Sequence, residues 1–147
     1  MSDITQDMNM TTKSPVHTAF LVDDSEVDLF IQKKFIELSA FAEKVVTFSS
    51  PIKALESLQS APYNSAPTLI FLDLNMPLLN GFEFLEEING LSSGISNRIK
   101  VVILSSSNSP ADRLRAKEFP NEINFFSKPL TIEGLQLLTV SLEPQEW

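Results

Sequence analysis

Five short, nearly uninterrupted apolar runs recur along the chain, each followed by a stretch whose apolar residues return every three or four positions. Runs of this kind suit strands buried on both faces, and the helical periods between them supply the covers. TAFLV (Thr18 to Val22) is the first predicted strand. Ser25 is placed to cap a helix whose apolar stripe is Val27, Phe30, Ile31, Phe35 and Leu38, with Glu26 and Asp28 near its positive end. KVVTF (Lys44 to Phe48) is the second strand, and Pro51 opens a short helix carrying Ala54, Leu55 and Leu58. The stretch from Pro62 to Pro67 breaks the chain before a third strand, Thr68 to Leu72. The loop DLNMPLLNG then leads to a helix bearing Phe82, Phe84, Leu85 and Ile88. Gly90 to Asn97 reads as a flexible loop, Lys100 to Leu104 as the fourth strand, and Pro110 as the start of a helix reaching about Phe119. Ile123 to Phe126 is a fifth, short strand, after which Thr131 caps a last helix that Pro144 ends. Glu133-Gly134 is an unfavourable pair for the interior of the last helix, and Ser105 to Asn108, ahead of the Pro110 helix, prefers turns.

Strands alternating with helices in this way predict an α/β fold, a doubly wound five-stranded parallel sheet with five helices, its right-handed crossovers covering both faces. At 147 residues and 43% hydrophobic content the chain can bury one real core. A net charge of −8, with the 11 basic residues scattered, speaks against a nucleic-acid surface. The absence of cysteine excludes disulfides and thiolate chemistry, and no apolar stretch approaches the eighteen or so residues of a membrane helix. A cytoplasmic location is the expectation. Residues 1–16 are polar and expected to be a disordered tail, residues 17–143 the folded domain and 144–147 a C-terminal tail, with no output domain.

The polar residues at the ends of the apolar runs carry the chemistry. Asp23 and Asp24 follow the first strand, Asp73 the third, Ser105 the fourth, and Lys128 the fifth. In an open parallel sheet these ends face one crevice. Three carboxylates that close cannot all stay ionised without a cation, and all-oxygen ligation with room for water suits Mg²⁺. Asp73 can attack phosphorus to give an acyl phosphate. Asp24 would ligate the metal directly, Asp23 through water, and Asn75 by its backbone carbonyl, while Lys128 would neutralise phosphoryl charge and the Ser105 hydroxyl and Ser106 backbone N–H would donate to phosphoryl oxygens. Each has an ordinary alternative: Asp73 as a turn cap, Lys128 as a surface lysine, Ser105 in a plain polar loop, Phe125 as core packing. It is their combination that points to phosphoryl transfer. His17, the one histidine, has no companion ligands nearby and reads as a solvated residue.

In this order and spacing, LVDDSE, IFLDLNMPLLNGFEFL, VVILSSS and FFSKPL resemble the receiver domains of two-component response regulators, across about Thr18 to Leu142. That resemblance implies a flavodoxin-like sheet with strand order 2-1-3-4-5. It also implies phosphorylation of Asp73 by a histidine kinase or histidine phosphotransfer protein, with Asp23, Asp24, Asp73 and the Asn75 carbonyl holding Mg²⁺. Ser105 and Phe125 are then the switch residues, Lys128 contacts the phosphate, and the Lys128-Pro129 bond is cis, which an X-Pro bond permits. A downstream protein would read the fourth and fifth βα face, the chain being a stand-alone signalling switch, not an enzyme, and a monomer or weak homodimer without nucleic-acid or membrane partners. Phe125 stands where many members carry tyrosine, and Ser105 where threonine is commoner. Asn75 and Ser107, two positions beyond Asp73 and Ser105, are placed to influence the lifetime of the acyl phosphate. Two alternatives are a haloacid-dehalogenase-like phosphatase, disfavoured by Asn75 where a second Asp is wanted and by a nucleophile after the third strand, and a pseudo-receiver that binds without being phosphorylated.

Overall fold

The computed structural model describes residues 14–60, 69–106 and 109–142. Strands β1 (Val16–Val22), β2 (Ala42–Phe48), β3 (Leu69–Asp73), β4 (Lys100–Ser105) and β5 (Glu122–Ser127) alternate with helices α1 (Glu26–Leu38), α2 (Pro51–Ser60), α3 (Gly81–Asn89), α4 (Ser93–Ser96), α5 (Pro110–Ala116) and α6 (Ile132–Leu142). All pairings are parallel and the strand order is β2-β1-β3-β4-β5.

The two-residue period of the strands sorts their side chains into two cores. Phe20, Val22, Ile70, Leu72 and Ile103 point to one side, where Ala54, Leu55 and Leu58 of α2, Phe84, Leu85 and Ile88 of α3, and Ala116 of α5 cover them. Ala19, Leu21, Leu69, Phe71, Val102 and Leu104 point to the other, beneath Leu29 and Ile36 of α1 and Leu135 and Leu138 of α6. Central β3 is buried along its whole length, whereas edge strand β2 is partly or fully open to solvent beyond Ala42. The expected caps form: the Ser25 side chain accepts from Asp28 N, Pro110 follows the Ser109 cap, and Thr131 Oγ1 accepts from Gly134 N at 3.0 Å. Gly134 therefore lies in the first turn of α6, not in its interior.

Four details differ from the sequence expectation. The stripe Val27, Phe30, Ile31, Leu38 of α1 is exposed at 68%, 65%, 41% and 83%, and Leu29, Gln32 and Ile36 are buried instead. Both sets have helical spacing, and tertiary packing places the second against the sheet. Helix α5 stops at Ala116, with Lys117 as its C-cap, because Pro120 disfavours helical backbone just before it. Among the described residues there are six helices instead of five, since the predicted Gly90 to Asn97 loop winds into α4. Its end is fixed from far along the chain: Asn121 Nδ2 donates to the carbonyls of Ser96 at 2.7 Å and Ile99 at 2.9 Å. Strand β1 also begins earlier than expected, with Val16 buried and paired with Ala42. Of the tail expected over residues 1–16, residues 1–13 lie outside the described residues, as do the break at Pro62 to Pro67, Thr68, Ser107 and the 144–147 tail; residues 14–16 are described, and Val16 belongs to β1.

Candidate functional site

The parallel register brings the predicted polar residues to one edge. Asp73 ends β3 and pairs with Leu104, so Ser105, the last residue of β4, lies one step beyond it; Ser105 pairs in turn with Ser127, next to Lys128. Lys128 N donates to Ser105 O at 2.8 Å, which fixes the lysine's backbone to the end of β4. The Lys128-Pro129 bond is cis. Asp23 continues β1, its N–H bonded to Phe48 O at 3.1 Å.

Carboxylate oxygens of Asp23, Asp24 and Asp73 all lie within 4.8 Å of one another. Asp23 and Asp73 are buried, at 1% and 5% exposure, while Asp24 faces solvent. Backbone and side-chain donors hold the two buried groups: Ser25 N on Asp23 Oδ1 at 2.9 Å, Gln32 Nε2 on Asp23 Oδ2 at 3.3 Å, and Asn75 N on Asp73 Oδ1 at 3.3 Å. The Lys128 ammonium sits 2.7 Å from Asp23 Oδ2, 2.9 Å from Asp28 Oδ2 and 3.7 Å from Asp73 Oδ1.

Burial, and then the neighbouring Asp23 charge, push the Asp73 carboxyl up from 3.8 to about 6, against the opposing pull of Lys128 and the Asn75 N–H. Burial pulls Lys128 down, but hydrogen bonds to Asp23 and Asp28 and the charges of Asp23 and Asp73 outweigh it and hold the ammonium above its usual range. A carboxylate half-protonated near pH 6 beside two others is a hard, all-oxygen donor set short of positive charge, which fits a small divalent cation.

Ser105 is fully buried, Ser106 is exposed directly after it, and Asn75 is exposed two residues after Asp73. Phe125 is buried at 8% exposure on β5. His17 lies near the start of β1, towards the opposite edge of the sheet, and contacts Thr18. Three participants escaped the sequence reading. Asp28 and Gln32 of α1 reach Lys128 and Asp23, and Arg113 of α5 packs its guanidinium 4.6 Å from the Phe125 ring centroid while Nη1 donates to Phe125 O at 3.1 Å. Gln32 left a trace in the sequence, being the polar member of the helical series Leu29, Gln32, Ile36. Asp28 read as an ordinary first-turn acid, and Arg113 carried no local signal.

A five-stranded parallel sheet in this order, with acidic residues and a lysine gathered at its C-terminal edge, defines a class of α/β domain built to handle a charged group there. Residues 19–139 match the family model described as the response regulator receiver domain, and the chain belongs to that family. It is 34% identical over 133 residues to the two-component response regulator ORR4 of Oryza sativa subsp. indica, covering 80% of this chain and 55% of the relative. The chain thus spans about half the length of that curated relative. A crystal structure of a response regulator receiver protein from Dyadobacter fermentans superimposes with a TM-score of 0.79 at 35% identity, covering 88% of this chain and 99% of the other. The phosphorylated cyanobacterial phytochrome response regulator RcpA superimposes with a TM-score of 0.67 at 29% identity, covering 85% and 90%. Among the described residues, no helix is long and apolar enough to cross a membrane.

Proposed function

We propose that this receiver domain accepts a phosphoryl group on Asp73 and relays its presence to a protein partner. The observation that carries the reading is the setting of Asp73: a carboxylate 5% exposed at a strand end, with the Lys128 ammonium 3.7 Å away and the oxygens of Asp23 and Asp24 within 4.8 Å. In the transfer, an Asp73 oxygen forms a bond to phosphorus as the donor's P–N or P–O bond breaks, and the donor keeps that electron pair. The donor class is a phosphohistidine on a kinase or phosphotransfer protein. Lys128 offsets charge on the phosphoryl oxygens, and the Ser105 hydroxyl and Ser106 N–H donate to them. Asp23, Asp24, Asp73 and the Asn75 carbonyl are the residues that would hold Mg²⁺, whose chemistry is to neutralise the charge that three carboxylates and a phosphoryl group bring together.

Signalling follows from the neighbours of Ser105. Its carbonyl accepts from Lys128 N, and β5 carries Phe125 under Arg113 of α5, so a shift of the serine towards the phosphoryl group is felt at the α5–β5 face. A partner protein reads that face. The test is the amide NMR spectrum with acetyl phosphate and Mg²⁺. The reading expects shifts at Asp73, Ser105 and Lys128 that extend through Phe125 to Arg113 and vanish with EDTA; an unchanged spectrum in a protein shown by mass to be phosphorylated would refute the switch.

A further inference from the structure

Lys128 has three N–H donors, and their distribution is uneven. Asp23 Oδ2 lies at 2.7 Å and Asp28 Oδ2 at 2.9 Å, both within hydrogen-bond range, whereas Asp73 Oδ1 is at 3.7 Å, outside it. Asp28 is anchored for this contact. It sits in the first turn of α1, its N–H donates to the capping Ser25 Oγ at 3.2 Å, and its side chain is 39% exposed. Its carboxylate meets the ammonium across one hundred residues of sequence. The lysine is thereby drawn towards α1 and away from the carboxylate that would take the phosphoryl group.

We propose that Asp28 is a positioning residue that restrains Lys128, competing with an incoming phosphoryl group for the ammonium and so slowing phosphorylation of Asp73. The inference rests on the phosphoacceptor reading above and adds a residue to it. To reach a phosphoryl group on Asp73, now 3.7 Å away, the ammonium must move against the hold of its 2.9 Å contact with Asp28. Replacing the carboxylate by an amide leaves a weaker acceptor of nearly the same shape, so Lys128 becomes available to the phosphoryl group. Because the Asp28 side chain is partly solvated, the pair is worth at most about 1 kcal/mol, which corresponds to about fivefold in rate.

The experiment follows mass gain with acetyl phosphate as donor at fixed Mg²⁺ and reads the initial slope of rate against donor concentration. Asp28→Asn, with Asp28→Ala as a second variant, is expected to raise the slope about three- to fivefold. Asp28→Glu, which restores the carboxylate, should return it to within about twofold of wild type. Glu26→Gln removes a charge from the same helical turn without touching Lys128 and separates loss of the specific pair from a general gain in attraction for an anionic donor. Equal gains for Glu26→Gln and Asp28→Asn, or an unchanged or lower slope for the folded Asp28 variants while wild type is phosphorylated, would overturn the restraint and leave the phosphoacceptor reading standing. A wild-type protein that takes up no phosphoryl group would overturn both.

Discussion

Asp73→Asn should make the metal-free protein more stable at neutral pH, although it removes the central residue of the site. The wild-type carboxyl is 5% exposed and pushed up from 3.8 to about 6, first by burial and then by Asp23. The folded protein therefore keeps the proton to a higher pH than the unfolded chain does. The stability associated with the neutral carboxyl is fully present below about pH 4 and is lost as pH rises through about 6. At about 1.4 kcal/mol per pH unit, the gap between those values amounts to about 3 kcal/mol at pH 7.5. Asparagine keeps the shape and the acceptor for Asn75 N but carries no charge to desolvate. Urea unfolding in EDTA, wild type beside Asp73→Asn, is expected to show the variant more stable by about 3 kcal/mol at pH 7.5, a midpoint shift of ~1.5 M, with the difference closing towards pH 4. Titrations of groups far from Asp73 cancel in the comparison, while those coupled to it, Asp23 and Lys128, contribute to the measured difference. A variant equally or less stable at pH 7.5, or a difference that does not change with pH, would refute the reasoning.

Three further predictions concern how the fold holds the site. Leu78 has φ +72° and is 86% exposed, so Leu78→Asn should relieve left-handed strain without losing buried area and stabilise by about 0.5–1 kcal/mol in urea unfolding. A Cβ at Gly81 would meet Leu74 Cα at 2.7 Å and Asp73 O at 2.9 Å, backbone atoms next to the acceptor; Gly81→Ala should cost about 2 kcal/mol by the same assay and disturb the amide shifts of residues 73 and 74. Removing the Asn121 amide leaves the buried Ile99 carbonyl without its 2.9 Å donor, so Asn121→Ala should cost about 1–3 kcal/mol, with hydrogen exchange accelerating at Ile95 and Ser96 in α4.

The βα alternation was legible because central strands buried on both faces leave unbroken apolar runs, as in Leu69 to Leu72, and because caps such as Ser25 and Thr131 act within three residues. Strand ends were legible for the same reason, which is how Asp23, Asp73, Ser105 and Lys128 could be grouped before any fold was known. The rotation of α1 was not, since two interleaved apolar series compete there and tertiary packing chooses the one with a glutamine in it. The Asp28–Lys128 pair, the Arg113–Phe125 contact and the Asn121 tie to α4 join residues 100, 12 and 25 positions apart, beyond the reach of local periodicity. Two of the three bear on the site, so its ordinary shape was readable while the features peculiar to this chain were not.

The central claim is tested most directly by intact-protein mass after incubation with acetyl phosphate and Mg²⁺, with rapid quenching, for wild type, Asp73→Asn and an EDTA control. The account predicts a gain of one phosphoryl group in wild type alone, dependent on Mg²⁺ and absent from the variant. No gain in folded wild type, or an equal gain in Asp73→Asn, would contradict it.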